Sequence, residues 1–143
     1  MSITRYNPNT IFLGGDRTQV GDLAASATIK PGHLVERFNS AGVIRWRVAT
    51  TDIAGPPAVA TEQSMVNKGV DDTYAVGDLM EVSILHKGAT AWMLVASGQT
   101  VTAGVLLGSA GDGTLKTSPT VARFTALENV TATALTRIRV EAL

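Results

Sequence analysis

Residues 43–50 read Val-Ile-Arg-Trp-Arg-Val-Ala-Thr, and this stretch decides the fold class because its apolar and charged side chains alternate. Ile44, Trp46 and Val48 fall on one face, and the two arginines between them fall on the other. A period of two residues is typical of a strand that has one face in a core and one face in solvent. We therefore predict a half-buried strand here.

The same alternation recurs along the chain, whereas helical periodicity is hard to find. Residues 91–96 are apolar on both faces, which suits a central strand. Near the C-terminus, Ile138 and Val140 are predicted to point inward, and Arg137 and Arg139 outward. The predicted strands cover residues 33–38, 43–50, 78–87, 91–97 and 135–141.

Two turns join the predicted strands. Lys87-Gly88-Ala89-Thr90 separates two of them and is typical of a hairpin loop. Asp112-Gly113 lies between strand-like residues, and Asp-Gly favours the type I′ turn of a hairpin. Strands and turns together predict a small all-β domain.

Two segments are less regular. Residues 1–28 alternate poorly and contain Asn7-Pro8-Asn9, so we expect an N-terminal arm or lead-in at residues 1–21 ahead of a single β-domain at 22–143. Residues 51–73 contain Gly55-Pro56-Pro57 and form a long excursion between predicted strands. Such long loops in a compact domain are often functional.

The composition argues against several classes of function. The chain has 143 residues and equal numbers of acidic and basic side chains, whereas DNA-binding domains usually carry a basic surplus, so no nucleic acid is expected as a partner. It contains no cysteine, which excludes disulfides and thiol chemistry. No apolar run approaches the roughly 20 residues that span a bilayer, and the N-terminus lacks the apolar core of a signal peptide. We therefore expect no membrane association and synthesis in a reducing cytoplasm.

The polar residues do not form a pattern typical of an enzyme. Acidic residues between positions 62 and 81 could supply carboxylates for calcium, but their spacing does not match an EF-hand loop, and a solvated loop is the other interpretation. His33 and His86 lack partners at metal-ligand spacing. Gly108-Ser109-Ala110-Gly111 misses the nucleophile elbow by one residue and precedes a hairpin. We predict a protein that is not an enzyme and uses no cofactor or metal.

The two tryptophans, Trp46 and Trp92, lie on strands with aliphatic neighbours, so we predict that both are buried in the core. Interface anchors are the alternative, because the centres of interfaces favour Trp and Arg. Arg45 and Arg47, on the face opposite Trp46, are either solvated or directed at an acidic partner.

One run and several shorter motifs resemble a known family. Residues 60–78 read Ala-Thr-Glu-Gln-Ser-Met-Val-Asn-Lys-Gly-Val-Asp-Asp-Thr-Tyr-Ala-Val-Gly-Asp, which is similar to a run in the capsid cement (head decoration) proteins of tailed bacteriophages. Shorter motifs that also look like this family are Ile29–Glu36, Ala110–Lys116, Arg123–Glu128 and Arg137–Glu141. The resemblance covers the chain from Asp22 to Leu143.

The resemblance implies a compact β-barrel-like ("tulip") domain on the outer surface of a phage head, made in the host cytoplasm. Cement proteins bind the major capsid protein after the shell expands and bridge neighbouring capsomers. They have no catalytic residues. Another virion or tail structural component, such as a spike base, is an alternative, and a small-ligand or carbohydrate-binding β-barrel is a further one that rests on fold analogy.

We expect the contacts with the capsid to come from the arm and the excursion, because alternating strand faces are committed to the core. Self-association is also expected, with a trimer favoured and a dimer as the alternative, since closed symmetry is the default for protein assemblies. The candidate contact residues are Ile3, Tyr6, Ile11, Phe12, Leu13, Glu62, Asn67, Asp71 and Asp72.

Overall fold

The computed structural model of the chain describes residues 8, 10–24, 28–50, 56–63 and 69–143. The regular secondary structure of these residues is all β, as the sequence predicted, and they form no helix long and apolar enough to cross a membrane. The strands are β1 (Phe12–Gly14), β2 (Arg17–Leu23), β3 (Leu34–Ser40), β4 (Val43–Val48), β5 (Ala58–Thr61), β6 (Leu79–Leu85), β7 (Thr90–Val95), β8 (Thr100–Val101), β9 (Leu106–Ser109), β10 (Leu115–Thr117), β11 (Phe124–Ala126), β12 (Val130–Thr131) and β13 (Thr136–Ala142).

The five predicted strands correspond to β3, β4, β6, β7 and β13, with bounds that differ by one or two residues at most. The hairpin at Asp112-Gly113 is confirmed, because β9 and β10 pair in antiparallel register across it. The predicted hairpin at residues 87–90 is wrong, since β6 and β7 belong to different sheets. β6 already pairs with β2 and β5, so its two edges are occupied and the turn carries the chain into the other sheet.

Five strands close into a small barrel, here called barrel A, in the order β7, β10, β9, β11, β13 and back to β7. The neighbours are antiparallel except β7 and β10. Completely buried side chains fill its core, among them Met93, Leu107, Leu115, Phe124 and Ile138. β1 pairs with the first two residues of β7, Thr90 and Ala91.

A second sheet, here called barrel B, has the antiparallel order β2, β6, β5, β3, β4. One parallel bridge between Ala24 and Trp46 brings β4 back to the end of β2. Barrel B has its own hydrophobic core, which contains Val35, Trp46, Tyr74, Met80 and Val82.

The two barrels pack against each other through one face of the sheet that forms barrel B. Leu34, Val59 and Leu85 belong to the core cluster of barrel A, although adjacent residues of the same strands belong to the core of barrel B. Successive side chains of a strand point to opposite faces. The sheet of barrel B is therefore buried on both faces at this junction, which explains why all four residues of β5 are buried.

The predicted arm and excursion require correction. β1 and the first five residues of β2 lie within residues 1–21, and the predicted boundary between residues 21 and 22 falls inside β2, which pairs with β6 along its whole length. The β2 sequence, Arg-Thr-Gln-Val-Gly-Asp-Leu, is mostly polar. Backbone pairing with β6 therefore determines this strand more than a hydrophobic pattern does. In the excursion, β5 is a central strand of barrel B, and residues 51–55 and 64–68 lie outside the described residues.

Candidate interaction surfaces

Two predicted contact residues hold the fold together. Ile11 is completely buried in the core of barrel A, and its backbone N–H donates a hydrogen bond to Oε2 of Glu62 at 3.0 Å. Glu62 directly follows β5, so this bond ties the chain before β1 to barrel B. Neither side chain is exposed in the way expected of a contact residue. The Ile11 side chain is part of the core, and the Glu62 carboxylate accepts a hydrogen bond from the Ile11 N–H.

The remaining residues of the predicted arm differ from one another. Phe12 is half-buried, and the guanidinium of Arg17 lies 4.1 Å from the centroid of its ring. Leu13 is 44% exposed on the other face of β1 and presents apolar surface to solvent. Ile3 and Tyr6 lie outside the described residues.

The acidic pair of the excursion lies in an exposed turn. Asp72 accepts the N–H of Gly69 at 2.8 Å, a side-chain-to-backbone hydrogen bond within the loop. Asp71 accepts from Nη1 of Arg137 at 3.1 Å and lies 4.0 Å from Nζ of Lys30. Asn67 is outside the described residues.

Arg137 points outward from barrel A, as predicted, but its side chain is buried. Its Nε donates to the carbonyl of Pro31 at 3.1 Å, and its Nη2 donates to the carbonyl of Val70. Strand alternation does place Arg137 on the outer face of barrel A, but the segments that contain Pro31 and Val70 cover that face. The guanidinium thus fastens two loops of the barrel B side to β13.

Two residues of the run at 60–78, which carries most of the family resemblance, lie in the core of barrel B, namely Ala60 and Tyr74, and Val70 lies in the core of barrel A. Tyr74 is completely buried, and its hydroxyl donates to the carbonyl of Thr61 at 2.6 Å. Burial raises the pKa of Tyr74 to about 12. A bridge to Ile29 pairs Tyr74 with another motif of the resemblance. These residues therefore have a structural role.

A shallow cleft of about 330 Å³ lies where the two barrels meet. It contains three basic side chains but no Trp, Tyr or Phe among the described residues that line it. The described ranges also contain no group of three or more His, Cys, Asp or Glu that could hold a metal ion. The lining residues are Pro56, Pro57, Leu85, His86, Lys87, Ala122, Arg123 and Leu143.

At the far end of the β3–β4 hairpin, the sequence suggested a contact only through the alternative of an acidic partner for Arg45 and Arg47. Within the described residues, β5 pairs with β3 only at Leu34 and Val35, and β2 reaches β4 through the bridge to Trp46. Residues 36–45 therefore form a two-stranded segment, here called the ribbon, whose strands pair only with each other. Ile44 was predicted to face the core but is 50% exposed, because the ribbon extends past the neighbouring strands.

Arginines lie over aromatic rings on both faces of this hairpin. The Arg37 guanidinium is 4.9 Å from the ring centroid of Trp46, which is buried as predicted. On the opposite face, Arg47 lies 4.5 Å from the ring centroid of Phe38, and its Nε is 3.2 Å from a carboxylate oxygen of Glu36. Such contacts restrict the side chains before any partner binds.

No family model and no curated protein sequence matches the chain. Among solved structures, the chain is similar to the N base of the head fiber protein gp8.5 of bacteriophage phi29, with a TM-score of 0.57 and 15% sequence identity. The match covers 90% of this chain and 98% of that chain. The two proteins share a fold. At this identity the likeness establishes the β architecture and leaves function to be argued separately.

Proposed function

We propose that this protein is a non-enzymatic structural component of a phage head, bound to the outside of the shell. The observation that carries the proposal is the fold likeness to a phage head fiber base over nearly the full length of both chains. The resemblance of residues 29–36 and 60–78 to cement proteins also supports a head location and does not depend on the fold likeness.

In its finer form, the proposal is that the protein cements the shell by bridging neighbouring subunits of the major capsid protein. A protein that binds only the assembled shell stabilises that shell by mass action. Repetition over a symmetric lattice adds many weak contacts into a large total. Two barrels with filled cores and a buried junction suit a rigid bridge. Self-association as a trimer, with a dimer as the alternative, belongs to the same proposal.

A fiber base is the second candidate, and the likeness to the phi29 protein specifically favours it. A base would attach to the shell at fewer positions and carry a further structure outward. A cement protein would instead occupy the lattice densely and raise the temperature at which the shell comes apart.

The test is to mix the purified protein with expanded, undecorated shells of its phage and to measure co-sedimentation and the thermal disassembly of the shells. Binding to shells, with no binding to unassembled major capsid protein, is the expected result. A rise in disassembly temperature assigns the cement role, and binding without such a rise assigns the base role. Absence of binding to shells contradicts both.

A further inference from the structure

We propose that the tip of the ribbon docks this protein onto a protein surface that presents carboxylates around an apolar recess. This inference rests on the proposed function, because the surface meant is that of the phage shell. It adds the tip of β3 and β4 to the predicted contact elements, since two of the described candidates in the arm and the excursion, Ile11 and Glu62, make contacts within the fold.

The ribbon is shaped before it meets a partner. Ala41 and Gly42 at its tip have φ angles of 51° and 88°, which is the mirror-image turn that matches the twist of a hairpin. The N–H of Gly42 donates to Oδ1 of Asn39 at 2.7 Å and fixes this turn. A preformed tip loses little conformational entropy on binding, so more of its contact energy appears as affinity.

The apolar surface of the tip is unusual for a free strand edge. Val43 is 48% exposed and Ile44 is 50% exposed, and as neighbours in a strand they point to opposite faces. Single exposed aliphatic side chains are ordinary. However, two adjacent β-branched residues on an edge strand promote pairing with other chains, and proteins usually protect such edges with charges or prolines. A recess that receives both faces of the tip would bury them.

The charge of the ribbon and its base is cationic, although the whole chain is neutral. Residues 34–48 contain Arg37, Arg45 and Arg47 against Glu36, and Glu36 is already engaged by Arg47 and by Thr50. Arg37 and Arg45 form no ion pair within the described part of the chain. Carboxylates of a partner would complement them and speed association.

A nucleic acid would satisfy the arginines but leave the two apolar side chains in water. A protein surface can satisfy both, and the centres of protein interfaces combine aliphatic or aromatic anchors with arginine. The combination of half-exposed Val43 and Ile44 with two arginines that form no ion pair among the described residues therefore favours a protein occupant.

Three variants test the proposal in the full chain. Arg45→Glu reverses a charge without disturbing the stacking of Arg37 on Trp46. Val43→Thr and Ile44→Thr add a hydroxyl while keeping the β-branched shape that strands prefer. The matched controls are Lys116→Glu, on a partly exposed position of barrel A, and Val76→Thr, on a side chain that is 63% exposed elsewhere. Thermal unfolding of every variant verifies that the fold is kept.

Binding to expanded shells is measured for each protein at low and at physiological salt. Each ribbon variant should bind about tenfold or more weakly than the parent, with both controls unchanged, since loss of an interface anchor typically has this effect. The Arg45→Glu variant should also show a weaker dependence of binding on salt. Shell binding by all three variants at the affinity of the parent overturns the inference but leaves the proposed function intact.

Two further assays separate other occupants. Sedimentation of the free protein shows whether the ribbon variants alter self-association, and a double-stranded oligonucleotide tests for binding to phosphates. A change in self-association with unchanged shell binding assigns the ribbon to contacts between copies and overturns the inference. Oligonucleotide binding that Arg45→Glu abolishes, with shell binding unchanged, overturns it too. A parent protein that does not bind shells overturns the inference and the proposed function together.

Discussion

His33 is buried where barrel B meets the β9–β10 hairpin of barrel A, and its Nδ1 accepts the N–H of Lys30 at 2.9 Å. Burial lowers the pKa of His33 from 6.5 to about 4, and the Asp112 carboxylate opposes this shift in part. Between these two values the unfolded chain binds a proton that the folded protein does not. The free energy of unfolding should therefore fall by about 3 kcal/mol as the pH drops from 6.5 to 4.

Urea unfolding between pH 4 and pH 7 measures this dependence. A His33→Gln variant keeps an acceptor for the Lys30 N–H but cannot take up the proton, so its free energy of unfolding should lack this component. Carboxylates also titrate in this range, and the difference between parent and variant isolates the histidine. Parallel pH profiles for the two proteins would exclude His33 as the source.

The two tryptophans are buried, as the alternation predicted, with 3% of Trp46 and 8% of Trp92 exposed. Replacement of either by alanine should lower the free energy of unfolding by about 3–5 kcal/mol, because a large apolar side chain is removed from a packed core. Denaturant unfolding measures the loss, with Val76→Ala as an exposed control. Tryptophan variants as stable as the parent would contradict the core assignment.

Arg137 uses the forked geometry of its guanidinium to reach Pro31, Val70 and Asp71 at once. The compact ammonium of a lysine cannot make the same three contacts, so Arg137→Lys should lower the free energy of unfolding by about 1–3 kcal/mol. The same change at Arg139, whose ion pair with Glu128 is partly exposed, should have an effect below about 1 kcal/mol. Equal effects of the two changes on denaturant unfolding would rule out this role for Arg137.

The alternating pattern predicted the position of some side chains correctly and that of others incorrectly. The pattern placed Trp46 and Ile138 correctly because it identifies the side of a strand to which a side chain points. It missed the burial of Arg137 and the exposure of Ile44 because it does not report what covers that side. The covering segments are distant in sequence, so the position of a candidate contact residue depends on the tertiary fold.

At the scale of elements, the β9–β10 hairpin depends on a close approach at its turn. Gly113 has a φ of 86°, and a Cβ there would lie 2.9 Å from Cβ of Val48. Gly88 has a similar φ of 85° with nothing within 4 Å of the same position. Both Gly→Ala changes incur about 1–2 kcal/mol for the left-handed backbone, and Gly113→Ala adds the overlap. Denaturant unfolding should show a larger loss for Gly113→Ala, and equal losses would contradict the contact between the hairpin and β4.

The elements that the sequence predicted include strands with a clear alternation, the longer apolar run at residues 91–96 and the Asp-Gly turn. β5 was missed because Ala-Val-Ala-Thr is short and buried on both faces, and periodicity does not separate such a run from a loop. β2 was missed because its side chains are mostly polar. The turn at residues 87–90 was found, but a turn indicates a change of direction and does not identify the strand with which the chain pairs next.

At the scale of the whole molecule, the sequence predicted the all-β class, while the paired barrels required the structure. Closure of barrel A depends on the parallel pairing of β7 with β10 and on the return of β13 to β7, which are distant in the chain. Within the run at residues 60–78, Ala60 and Tyr74 contribute to the core of barrel B, and Val70 contributes to the core of barrel A. The motif therefore reports the fold more directly than it reports a contact.

Cryo-electron microscopy of the phage particle tests the central claim, a structural role on the outside of the head, most directly. The expected result is density outside the shell into which the two packed barrels fit as one body, with the tip of the ribbon against the major capsid protein. Density for this protein confined to the tail or to the inside of the shell, or its absence from the particle, would contradict the account.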